Sequence, residues 1–70
     1  MERINMGFYY IIGENAEKAA EYIKEQEQRM IEAGAANPHF SEDYPYNMVR
    51  FRRKASELYD VNYEGMMIDL

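Results

Sequence analysis

The chain has 70 residues, a formal net charge of −5, 47% hydrophobic residues, no cysteine and a single histidine. A chain this short supplies one domain at most and buries only about 60% of the surface that its unfolded form exposes, so its core is thin. Disulfides, thiolate metal centres and cysteine nucleophiles are excluded, and with His39 alone so is a two-histidine metal pair within one chain.

The first segment reads as one strand. Ile4, Met6, Phe8, Tyr10 and Ile12 share one parity and make a wholly apolar face. Arg3, Asn5, Gly7, Tyr9 and Ile11 share the other, which starts polar and becomes apolar. Gly13 ends the strand. A helix is predicted over about 15–33, with Asn15 as N-cap and with Glu14 and Glu17 where a helix N-terminus favours negative charge. Ala16, Ala19, Ala20, Ile23 and Met30 recur on its inner face, and Gly34 takes the position after its end.

Residues 35–47 contain two prolines and three aromatics and read as a loop. A second helix is predicted over about 46–59, with Pro45 tolerated in its first turn and with Met48, Phe51, Ala55 and Leu58 as its apolar stripe. Asp60 and Asn62 break that pattern. Residues 64–70 read as a short strand with Met66, Ile68 and Leu70 inward. The fold class expected is α+β: a small β-α-α-β domain spanning residues 1–70, with two helices packed on a short sheet. Two strands alone make a poor sheet, so pairing between subunits is expected to complete it, and a homo-oligomer, with a dimer favoured, supplies the burial that a thin core lacks.

Little in the sequence suggests catalysis. Ser41 and Ser56 are the only serines, there is no threonine, and neither serine stands in a Gly-x-Ser-x-Gly elbow. His39 lies two residues from Ser41, but nothing around them completes a nucleophile–base constellation. Glu42 and Asp43 are adjacent in a solvated loop, and Gly7, Gly13, Gly34 and Gly65 are too isolated to cradle a phosphate. The expectation is a protein without enzymatic activity, cofactor or metal.

Charge placement is more informative. Arg50, Arg52, Arg53 and Lys54 carry +4, which leaves −9 on the rest of the chain. At 100° per residue Glu14, Glu17, Glu21, Glu25, Gln28 and Glu32 fall in one stripe opposite the apolar face of the first helix. Glu17, Glu21 and Glu25 are therefore candidates for contact with a basic partner, together with Phe40, Tyr44 and Tyr46 in the loop, since tyrosine gives large contact area at low conformational cost. Arg50, Arg53 and Lys54 cluster on the outward side of the second helix, with Arg52 on its flank, and are candidates for anion binding.

The leading expectation is an acidic protein-binding module, by analogy of size and charge an inhibitor of the kind that phages and mobile elements use against a host enzyme or nucleic-acid-binding protein. The alternative is an oligomeric protein that binds or sequesters a nucleotide-like anion. A ribbon-helix-helix DNA binder ranks third, because an acidic surface repels phosphate backbones and direct nucleic-acid binding is disfavoured. The first five residues lack the layout of a secretory signal, and the apolar run 8–12 is far too short to span a membrane, so a cytoplasmic location is expected.

Overall fold

The computed structural model describes residues 1–34 and 48–65. Strand β1 (Glu2–Asn5) and strand β2 (Tyr9–Gly13) come from the segment expected to be one strand. The chain reverses between them through a two-residue Gly7-Phe8 loop. Gly7 has φ +101, which glycine adopts without steric cost at the first central position of such a turn. The turn is closed by the Met6 N–H donating to the Tyr9 carbonyl (2.8 Å) and by the Gly7 N–H donating to the Asn5 side-chain oxygen (2.8 Å).

This reversal corrects the expected face assignment. Ile4 pairs with Ile11 and Arg3 with Ile12 across the hairpin. The inward set is thus even-numbered in β1 and odd-numbered in β2. Tyr9 and Ile11 are buried, Tyr10 and Ile12 are only partly covered on the other face, and Phe8 is half exposed.

The third strand, β3 (Asn62–Gly65), begins earlier than expected and pairs antiparallel with β2, with Tyr63 opposite Ile11. Asp60 takes a left-handed backbone (φ 52), which aspartate tolerates better than most residues, and buried Val61 then leads into the strand. The expected inward residues Met66, Ile68 and Leu70 lie outside the described residues. The sheet order is β1-β2-β3, and its third strand is supplied within the chain.

Helix α1 (Ala16–Glu32) matches expectation closely, with Ala16, Ala19, Ala20, Ile23 and Met30 all buried. Gly34 follows it with φ +105, the left-handed geometry that commonly ends a helix. Asn15 occupies the N-cap position, but its side chain caps nothing there. Its amide donates to the Tyr59 carbonyl (3.4 Å), and the Glu2 carboxylate accepts from the Glu17 N–H (3.3 Å), tying the helix start to α2 and β1.

Helix α2 (Met48–Tyr59) is rotated from the expected stripe. Its buried residues are Met48, Val49, Arg52 and Ala55, while Leu58 is 54% exposed. Tyr59 and Phe51 instead pack at the flank against Tyr22 of α1, with ring centroids 6.1 and 6.4 Å away. The helices lie on the sheet face that carries Ile4, Tyr9, Ile11 and Tyr63, and the buried side chains form one cluster. On the opposite face Arg3 lies 4.2 Å over the Tyr10 ring and pairs with Glu64 at 3.0 Å. Both partners of that pair are more than half exposed, so it contributes at most about 1 kcal/mol.

Ile11→Ala is expected to lower stability to urea by about 2–5 kcal/mol, since it empties a fully buried site, and Leu58→Ala by about 0.5 kcal/mol or less. Comparable losses for the two variants would contradict the rotation of α2.

Candidate functional site

Two features stand out, one on the surface and one inside. The surface feature is the acidic side of α1. Glu14, Glu17 and Glu21 are exposed there, and Glu2, brought across from β1, lines the same groove with Asn15 and Lys18. Neither Glu14, Glu17 nor Glu21 forms an ion pair among the described residues. Glu25, one of the expected contact residues, is exposed but pairs with Arg29 at 2.7 Å. Glu32 accepts from the Gln28 amide at 3.3 Å. The useful acidic surface is therefore shifted toward the N-terminal half of the helix. Glu2 was not legible as part of it, because its place depends on the hairpin that folds β1 beside α1.

Phe40, Tyr44 and Tyr46 lie outside the described residues, as do His39 and Ser41. Arg50, Arg53 and Lys54 are exposed on α2, as their spacing suggests. They do not make a set of uncommitted cations, because Arg50 and Arg53 are each engaged in other interactions, and the Arg50 guanidinium lies 5.5 Å from the Phe51 ring.

The interior feature centres on Arg52, placed on the flank by sequence and found 2% exposed. Its guanidinium carbon lies 5.5 Å from the centroid of the Tyr9 ring. Tyr63 meets Tyr9 edge-on at 5.8 Å, and its hydroxyl donates to the Arg52 carbonyl. Arg52 Nε and the Tyr9 hydroxyl are both buried without a hydrogen-bond partner among the described residues. The Arg52 guanidinium lies near enough to that hydroxyl for its charge to act on the hydroxyl's ionisation.

Burial raises the Tyr9 pKa above its ordinary value, with the Arg52 charge pulling it down and Glu27 pushing it up. Burial also raises Tyr63, and the neighbouring Tyr9 adds to that shift while Arg52 opposes it. No group of three or more His, Cys, Asp or Glu side chains among the described residues is disposed to hold a metal ion. No helix among them is long and apolar enough to cross a membrane. Comparison with protein-family models, curated proteins and solved structures finds no match.

Tyr9 and Tyr63 hold their protons more tightly in the folded chain than in the unfolded one. Their contribution to stability is therefore intact below the ordinary tyrosine pKa of 10.0 and is lost as pH rises through the higher folded values. Unfolding measured against pH should show stability falling above about pH 10, less steeply in Tyr63→Phe. Spectroscopic titration of the folded protein in which all seven tyrosines ionise together at the ordinary value would contradict the burial of this pair.

Proposed function

We propose that the chain is a cytoplasmic protein-binding module whose acidic face docks on a basic surface of another protein. The observation that carries the reading is the convergence of Glu2, Glu14, Glu17 and Glu21 on one exposed groove, with Glu14, Glu17 and Glu21 held in no ion pair among the described residues. Glu17 and Glu21 stand four apart on a helix, an arrangement that destabilises an isolated helix by roughly 0.2–0.5 kcal/mol. A cationic partner relieves that repulsion, and the net charge of −5 steers such a partner inward. An inhibitor of a host enzyme or nucleic-acid-binding protein fits this chemistry, since such targets present basic surfaces. The competing assignment of Arg50, Arg53 and Lys54 to a nucleotide-like anion gains no comparable support, because two of the three are already engaged.

The test begins with affinity capture from the native cell and continues with the purified captured partner. Reversing Glu14, Glu17 and Glu21 to lysine should weaken binding about tenfold or more, since like charges across an interface cost several kcal/mol. Glu25→Lys should matter less, because Glu25 already pairs with Arg29. Rising salt should weaken the wild-type complex. Unchanged affinity in the folded triple variant, with no salt dependence, would overturn the reading.

A further inference from the structure

We propose that the outer face of the two helices is an interface with a second copy of this chain. Helices α1 and α2 run antiparallel, because Asn15 meets Tyr59 while Tyr22, further along α1, lies between Tyr59 and Phe51. An aromatic seam separates them. Tyr22, Phe51 and Tyr59 are only partly buried where they pack on the core. Leu58, two turns from Phe51 on the same side of α2, is 54% exposed. The seam supplies the apolar centre that an interface needs.

The charges on either side say what covers it. Glu17 and Glu21 make the exposed row beside the seam on α1 mainly acidic, with Lys18 as its exception. Arg50, Arg53 and Lys54 make the row on α2 mainly basic, with Glu57 as its exception. Lys18, Glu21, Lys54 and Glu57 take part in no ion pair among the described residues. At 100° per residue, each of these four points within about 40° of the direction opposite the buried side of its helix. Glu21 and Lys54 stand at about the same level along the helix layer, as do Lys18 and Glu57 one turn nearer the Asn15–Tyr59 end.

A two-fold axis parallel to the helices lays α1 of one copy over α2 of the other. Glu21 then faces Lys54 of the second copy and Lys18 faces its Glu57, each contact occurring twice. An axis across the helices sets like rows together and is disfavoured. A uniformly basic surface would suit α1 and repel α2, and a polyanion would do the reverse. A surface with both signs in exchanged order matches both rows, and a second copy presents one. The face is two helices wide and as long as the 12 residues of α2, about 18 Å, at the small end for a stable interface. Association is therefore expected in the micromolar range. Glu2 and Glu17 lie toward β1, so the acidic groove stays open at the rim and its assignment stands or falls separately.

The test is sedimentation equilibrium of the full chain over about 1–300 μM, with circular dichroism to check that each variant is folded. Reversible dimerisation is expected. Glu21→Lys and Lys54→Glu should each weaken it about tenfold or more, since each sets like charges together at two places in the dimer. An equimolar mixture of the two variants should recover wild-type affinity, because every such contact then joins an acid to a base. Leu58→Glu should abolish the dimer and keep the fold, Leu58 being exposed already. Lys24→Glu makes the same change of net charge on the side of α1 away from α2, and should leave the dimer unchanged. A monomer throughout, a dimer that survives Leu58→Glu, a mixture no tighter than its components, or an equal loss in Lys24→Glu would overturn the proposal.

Discussion

The reversal of the chain at Gly7 is the constraint on which the rest of the structure depends. A continuous strand through residues 3–12 would place Tyr9 and Ile11 with Arg3 and Asn5 on one face. The two-residue loop makes Ile4 and Ile11 cross-strand partners instead, and it moves Tyr9 onto the helix side. It also makes β2 the central strand, with β1 on one edge and β3 on the other. Glu2 reaches the start of α1 only because β1 has been folded back. The acidic groove and the Tyr9–Arg52 contact therefore share one local cause.

Helix α1 was legible because its signals agree. Alanines at 3.6-residue spacing mark the inner face, glutamates mark the outer one, and Gly34 supplies a stop. The hairpin was hidden because Met6 and Phe8, which flank Gly7, extend the apolar pattern straight through the turn. Gly7 alone carried the signal. In α2 an apolar-stripe reading chose Leu58 and excluded Arg52. Arginine has a long aliphatic stem and a guanidinium that an aromatic face accepts, so tertiary contact with Tyr9 and Tyr63 reverses that choice. Strand β3 was placed too late because Asn62 looked like a breaker. It is an outward residue in the alternation of Val61, Asn62, Tyr63 and Glu64.

Charge is distributed in two layers. Outside, the carboxylates of α1 and β1 give an acidic surface with few local cations. Inside, the chain encloses a guanidinium against two tyrosines whose hydroxyls burial keeps protonated. A thin core tolerates such a group only where something compensates it. The outer layer was legible from helical periodicity, whereas the inner one arises from strand parity and helix rotation together. The hairpin and β3 together build a three-stranded sheet within one chain.

The most direct measurement of the central claim is an isotope-filtered NMR experiment on a mixed sample of labelled and unlabelled chains. The hairpin predicts backbone contacts from Ile4 to Ile11 and from Arg3 to Ile12 within one labelled molecule. A single strand through residues 3–12 would lack those intramolecular contacts, and strand pairing would then be found only between labelled and unlabelled copies. That result would contradict the hairpin, the inward position of Tyr9 and both features built on them.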